Sequence, residues 1–183
     1  MNNPAPVTNI IIAGLGGQGV VTASTILAEA VFRAGHNLKQ SEIRGMSQRG
    51  GSVSTDVRFG PGVYSPMTPP GEADYLVVLA PDQIEIHRPS LRPGGRLIAP
   101  DCLNGAALEN IKSLNVGLLG ALSTCLDISE TVWHEAIRAV LPEKLHAANL
   151  QAFAVGRACR FPGLIRSPAD SLCFASAIER PTK

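Results

Sequence analysis

A chain of 183 residues is the size of one domain and is long enough to bury a core without disulfides or a structural metal. Its hydrophobic fraction of 45% is ordinary, but its charged fraction of 17% is low beside the roughly 25% of an average domain, which points to a surface partly covered by a partner. A formal net charge of +1 with no block of like charge leaves no electrostatic footprint for nucleic acid or anionic lipid, and neither is expected as a ligand.

Residues 1–8 carry no basic side chain ahead of the short apolar run 10–12, so the N-terminus does not read as a secretory signal. Polar residues such as Glu29 interrupt the apolar stretches well short of the roughly 18 residues a membrane span needs. No membrane association is expected, and the cytoplasm is the expected location. Cys102, Cys125, Cys159 and Cys173 are widely and irregularly spaced with no Cys-x-x-Cys pair, and they read as buried thiols rather than ligands of zinc or an iron–sulfur cluster.

In chain order, the β-branched run 9–13 predicts a strand that ends in glycines. Residues 20–34 place Val21, Leu27, Ala28, Val31 and Phe32 on one helical stripe, with Gly35 closing the helix at C′. Residues 37–42 predict a second strand. A polar, glycine-bearing loop follows over 43–51, and 52–59 then alternates: Val53, Thr55, Val57 and Phe59 share one face, Ser52, Ser54, Asp56 and Arg58 the other. Such a strand has one face exposed or covered by something polar. Residues 60–71 hold three glycines and four prolines and predict an irregular connection. The apolar run 75–80 and the segment 96–99, after a Pro93-Gly94-Gly95 turn, predict buried parallel strands.

Helices are expected over 116–126, 131–141 and 145–158. The whole is an α/β fold: a doubly wound, mostly parallel, Rossmann-like sheet with a more helical C-terminal part. One domain is expected over 1–158, with a tail of unassigned structure over 159–183.

Gly14-Leu15-Gly16-Gly17-Gln18-Gly19 fits G-x-G-x-x-G between a strand and a helix. Gly14 permits the tight turn, Gly16 lets backbone approach a pyrophosphate, and Gly19 lets helix pack on strand, while free N–H groups of the first helical turn attract the anion. Glu42 lies about 20 residues further on, where a dinucleotide-binding fold keeps its ribose-binding acid, so a NAD- or FAD-binding Rossmann oxidoreductase is one reading. An E1-like adenylating enzyme is another, although the paired Cys-x-x-Cys zinc motifs usual in that class are absent. The loop after Glu42 carries Arg44, Ser47, Gln48 and Arg49 among Gly45, Gly50 and Gly51. Guanidinium forks pair bidentately with oxyanions, and glycines bring backbone close, so the loop suits a phosphate or carboxylate. The bland reading is a surface turn.

These segments, with Ser41-Glu42, Gly45-Met46-Ser47-Gln48-Arg49-Gly50-Gly51-Ser52-Val53, Val57-Arg58-Phe59-Gly60, Tyr64-Ser65-Pro66 and Gly71-Glu72-Ala73-Asp74, resemble the gamma-type domain of 2-oxoacid:ferredoxin oxidoreductases. Within that family the resemblance is strongest to the small, or beta, subunits of indolepyruvate ferredoxin oxidoreductases. It continues through Leu119-Gly120-Ala121-Leu122 and Asn149-Leu150-Gln151-Ala152-Phe153 to about Gly156, and only the tail lacks a match. The resemblance implies a non-autonomous subunit of an enzyme that oxidatively decarboxylates a 2-oxo acid, an aryl pyruvate, to an acyl-coenzyme A and reduces ferredoxin. It further implies that thiamine diphosphate, magnesium and iron–sulfur clusters sit on a large partner subunit, which also meets the ferredoxin. This chain would help form the coenzyme A side of the active site. Gly14, Gly16, Gly17, Gln18, Gly19, Arg44, Ser47 and Arg49 are the expected ligand-facing residues, and no catalytic residue or metal ligand is expected here.

His36, His87, His134 and His146 lack partners at triad-like or metal-like spacing and read as surface or packing residues. Trp133 lies on a stripe with Ile137 and Leu141 and reads as a packing or interface residue. Met46 reads either as a contact to a substrate side chain or as filler at a partner interface.

Overall fold

The computed structural model describes residues 7–45, 50–103 and 110–159. Five strands, β1 (Thr8–Leu15), β2 (Leu38–Arg44), β3 (Ser52–Phe59), β4 (Ala73–Val78) and β5 (Leu91–Ile98), form one sheet in the order β2-β3-β1-β4-β5. β1 is central, and the uninterrupted apolar run Ile10-Ile11-Ile12-Ala13 is buried on both faces. β4 lies parallel to β1 with Ile10 beside Tyr75, and β5 lies parallel to β4. β3 runs antiparallel to both β1 and β2, so β1, β2, β4 and β5 share one direction.

The α/β layering is as the sequence predicts, with two differences in detail. The first is the reversed β3, which makes the sheet mixed, with two of its four strand pairings antiparallel, where a mostly parallel one is expected. Its cause is local: the loop over 45–51 is too short for a crossover and must close a hairpin. The second is that the two faces are covered unequally. Helices α1 (Val20–Arg33), α3 (Leu114–Ser123), α4 (Glu130–Val140) and α5 (His146–Ala158) all gather on the face of Ile10, Ile12, Val57 and Val77. The other face carries Ile11, Leu76 and Val78 under the short helix α2 (Ile84–His87) and its flanking 3-10 turns. Those turns contain Pro81 and Pro89, and with four helical residues between them they left no periodicity to read.

The polar face of β3 is covered by polar groups of the irregular connection. The Thr68 amide donates to the Asp56 carboxylate at 2.7 Å, and Arg58 donates to the carbonyls of Ser65 and Met67 at 2.9 Å and to the Asn9 side chain at 2.8 Å. Buried Asp56 is therefore hydrogen-bonded rather than stranded.

On α1 the buried stripe is Val20, Ala23, Ile26, Leu27, Ala30 and Val31, while Phe32, expected on it, is 69% exposed. Phe32 sits one further helical step, about 100°, from Val31 and so turns off the sheet. The helix ends as expected at Gly35, whose φ is 84°: the His36 amide reaches Val31 and the Gly35 amide reaches Phe32, a Schellman closure. β5 begins five residues earlier than the sequence suggests and includes Pro93, which an edge strand tolerates because one side of it needs no N–H donor.

α3 is buried from Asn115 to its end. It packs on α5 backbone to backbone: a Cβ on Gly120 would overlap the Phe153 carbonyl, and one on Gly156 would overlap the Gly117 carbonyl. Trp133 of α4 is fully buried with its ring 5.6 Å from that of Phe153, which makes it a core residue. Residues 160–183, most of the expected tail and with them Cys173, lie outside the described residues.

Candidate functional site

β1 and β4 lie side by side and their chains depart to opposite faces, β1 into α1 and β4 into α2. This is the switch point at which an open α/β sheet leaves a crevice at the carboxyl ends of its strands. The glycine turn occupies it. Gly14 has no room for a side chain, since a Cβ would lie 2.8 Å from the Gln18 carboxamide oxygen and 3.1 Å from Leu79. Gly17 and Gly19 have φ of 91° and 82°, in the left-handed region. Gln18 braces the turn: its side-chain oxygen accepts from the Leu15 amide at 2.8 Å.

Gly19 is the N-cap of α1, and no side chain caps this helix end or places an acid in its first turn. The Ala23 amide makes the first intrahelical bond, to the Gly19 carbonyl, leaving the amides of Val20, Val21 and Thr22 without intrahelical acceptors. Together with the macrodipole they make a positive, donor-rich end suited to an anion.

The hairpin of β2 and β3 meets this turn directly. The Gly16 amide donates to the Gly51 carbonyl at 2.9 Å, and the Gly45 amide to the Ser52 carbonyl at 2.7 Å. Between turn and hairpin lies a cleft of about 680 Å³ whose walls include Gly16, Gly17, Thr22, Glu42, Arg44 and Gly50. Five of the eight residues singled out from the sequence stand at or beside one cleft: Gly16, Gly17, Gly19 and Arg44 line it, and Gly14 shapes the turn beneath it. Gln18 is in the turn, but its carboxamide oxygen is directed to backbone. Ser47 and Arg49, with Met46, fall outside the described residues.

Arg44 is largely exposed and its Nε pairs with the Glu42 carboxylate, whose hydrogen bond and charge raise the guanidinium's already high pKa further. Both side chains stand on one face of β2, two residues apart. In a dinucleotide-binding sheet the acid-bearing strand lies next to the first strand; here β3 intervenes, setting Glu42 one strand spacing, about 4.8 Å, further out.

A second cleft of about 680 Å³ opens on the opposite side of the turn, where Gly19, Leu79, Lys112, Asn115 and Leu141 contribute walls. Asn115, the second residue of α3, donates from Nδ2 to the Gly19 carbonyl at 3.1 Å. Nothing local in the sequence marks it, because its partner is supplied by tertiary folding.

The histidines stay apart. His36 stacks on Phe59, His134 lies beside Glu130, and His146 contacts the Leu141 carbonyl. His87 sits 3.4 Å from the Ser52 hydroxyl, and burial lowers its pKa while Asp56 opposes that shift. Cys102, Cys125 and Cys159 are free and only partly buried, less than the sequence suggests; burial raises the pKa of Cys102 and Cys159, which keeps them protonated. Among the described residues no three His, Cys, Asp or Glu side chains converge as a metal-binding group, and no helix is long and apolar enough to cross a membrane.

A mixed α/β sheet with a glycine turn at its switch point and an arginine-bearing hairpin beside it defines a Rossmann-like domain with a donor-rich cleft at the carboxyl ends of its strands. Residues 9–104 match the family model of pyruvate ferredoxin/flavodoxin oxidoreductase, and the chain belongs to that family. It is similar to the indolepyruvate oxidoreductase subunit IorB of Thermococcus kodakarensis, 35% identical over 81% of this chain and 93% of that one. The IorB of Pyrococcus horikoshii is 31% identical over the same shares. Among solved structures, the gamma subunit of a keto/oxoacid ferredoxin oxidoreductase from Geobacter sulfurreducens has the same fold, with a TM-score of 0.66 at 22% identity, covering 83% of this chain and 95% of that one. The 2-oxoglutarate:ferredoxin oxidoreductase of Magnetococcus marinus, solved with 2-oxoglutarate, coenzyme A and succinyl-CoA bound, matches with a TM-score of 0.69 at 23% identity, over 84% of this chain and 31% of that one.

Proposed function

We propose that this chain is the small subunit of an indolepyruvate-type, aryl pyruvate:ferredoxin oxidoreductase and forms the coenzyme A side of its active site. The observation that carries this reading is the cleft in which the uncapped N-terminus of α1, the backbone of Gly16 and Gly17, and Arg44 converge. Such a set of donors fits a pyrophosphate: backbone amides accept no charge of their own, and the guanidinium adds a mobile positive group at the lip. Ser47 and Arg49, the remaining proposed ligand residues, lie between Gly45 and Gly50 in the sequence.

Decarboxylation needs an electron sink, which thiamine diphosphate with its magnesium supplies on the large subunit, as iron–sulfur clusters supply the path to ferredoxin. The role of this chain is to bind and orient the co-substrate that takes the acyl group. The test is reconstitution in the cytoplasm of a host expressing this chain with a large thiamine-diphosphate-binding subunit. Reduction of ferredoxin by an aryl pyruvate is expected only from the two together and only with coenzyme A. Decarboxylation by the isolated chain, or turnover by the complex that ignores coenzyme A, would overturn the reading.

A further inference from the structure

Gln18 braces the start of the glycine turn, but the exit of the turn into α1 has no such brace within the turn itself. Two of its residues are left-handed glycines, and the helix it opens has no side-chain cap. What fixes its direction comes from another helix.

Asn115 is 6% exposed, and both ends of its carboxamide are engaged: Nδ2 with the Gly19 carbonyl at 3.1 Å, and Oδ1 with the Val116 amide at 2.9 Å. The two contacts require opposite ends, so the amide has one orientation. The Gly19 carbonyl and the Val20 N–H belong to a single planar trans peptide and point in opposite directions. With the carbonyl held by Asn115 and by the Ala23 amide, the Val20 N–H is aimed out past the start of α1. A Cβ on Gly19 would overlap Asn115 Nδ2, so turn and α3 are in direct contact at this point. α3 in turn is locked to α5 through the glycine contacts at Gly117, Gly120 and Gly156.

We propose that Asn115 is a positioning residue for the anion site: it ties the first peptide of α1 to the rigid α3–α5 pair and so sets the direction of the amides that receive the ligand's phosphate. This rests on the coenzyme A reading. Asn115 touches no reacting atom. It acts through the Gly19–Val20 peptide, and it lines the second cleft rather than the one between turn and hairpin.

The test uses the assembled complex of this chain with its large subunit, measuring the KM for coenzyme A, kcat and thermal stability. Asn115→Ala is expected to raise the coenzyme A KM about five- to tenfold, the loss of one hydrogen bond's worth of orientation, with a smaller change in kcat. Ser123→Ala is the control. It sits at the far end of the same helix, is equally buried and bonds the Gly120 carbonyl at 2.6 Å, but does not touch the turn. It should cost comparable stability and leave the KM within twofold of wild type.

A wild-type KM in Asn115→Ala, or an equal rise in both variants, would overturn the proposal. Should Asn115→Ala not fold, Asn115→Asp serves, since a carboxylate in the first turn of α3 favours the helix yet cannot donate to Gly19. Its KM rise relative to wild type should persist at about 1 M salt, where charge repulsion is screened beyond roughly 3 Å; a rise that salt abolishes would overturn the proposal. Failure of the underlying reading looks different, because the wild-type complex would then show no coenzyme A dependence at all.

Discussion

The amide of Gly16 donates to the carbonyl of Gly51 at 2.9 Å, so the glycine turn after β1 and the hairpin between β2 and β3 form one continuous rim around the cleft. A Cβ on Gly16 would meet only ordinary contacts, the nearest being the Gly50 nitrogen and Gly51 oxygen at 3.7 Å, and the residue is not left-handed. The protein itself therefore does not require glycine here; on the proposed coenzyme A reading, the ligand does. Gly16→Val should melt within about 3 °C of wild type, while its γ-carbons, entering the cleft, raise the coenzyme A KM of the complex by at least about tenfold. An unchanged KM in a folded Gly16→Val complex would remove the turn from the ligand site.

Gly17 and Gly19 are both left-handed, but only Gly19 is crowded: beyond Gly17 there is open space. Gly17→Ala should lose only the strain of a left-handed alanine, roughly 1–2 kcal/mol. Gly19→Ala carries the same strain and also drives a methyl group onto Asn115, so its urea midpoint should fall clearly further. Equal losses would mean that α3 gives way freely and that the contact between Asn115 and Gly19 holds nothing in place.

The sequence carries the fold where the signals are local. The run Ile10-Ile11-Ile12 announces the central strand, the spacing of Gly14, Gly16 and Gly19 announces the turn, and Gly35 announces the end of α1. The alternation in β3 announces a face that is exposed or covered by something polar, and the second holds: the roof over Asp56 and Arg58 is built of backbone groups from 65–68. Strand direction is not local: the same β3 residues would alternate equally well in a parallel or an antiparallel neighbour. The helices of the C-terminal half are legible, but their unequal distribution over the sheet is not, because it follows from contacts such as Gly120 against Phe153. At the cleft, the lining residues Arg44, Gly16, Gly17 and Gly19 stand in segments that the motif marks. Asn115 is not, since an asparagine near a helix start reads as a cap whatever it reaches beyond that helix.

His87 makes stability depend on pH. Burial holds its folded-state pKa below the ordinary value of 6.5, against the opposing charge of Asp56, and Ser52 is its hydrogen-bond neighbour. The unfolded chain therefore takes up the proton first as pH falls. The contribution of neutral His87 is fully present above about pH 6.5 and is lost as pH drops through 6.5 toward the lower folded value, levelling off below it. Urea unfolding at about pH 7.5 and about pH 5.5 checks this. His87→Gln should lose less stability between the two than wild type does, and an identical loss would assign the acid sensitivity to other groups.

Glu42 and Arg44 make opposite predictions. Their pairing holds the guanidinium at the lip of the cleft, where it remains largely exposed and free to exchange the carboxylate for a ligand oxyanion. Arg44→Ala should raise the coenzyme A KM of the complex by about tenfold, and Arg44→Lys should recover only part of that, because a point charge replaces a planar fork. Glu42→Ala removes a competitor for Arg44 and should leave the KM unchanged or lower it. A ribose-binding Glu42 predicts instead saturable micromolar binding of NAD or FAD that Glu42→Ala weakens; calorimetric titration should detect no such binding, as suits an acid separated from β1 by the intervening β3. If Arg44 serves the subunit interface rather than the ligand, both Arg44 variants will loosen assembly in dilute size-exclusion runs while the surviving complex keeps a normal coenzyme A KM. Because coenzyme A takes the acyl group only after decarboxylation, a ligand role should also spare the first step: pre-steady-state loss of the 2-oxo acid carboxylate should proceed far closer to the wild-type rate than acyl transfer does. A parallel fall in both steps would place the effect of Arg44 on the large subunit's active site as a whole.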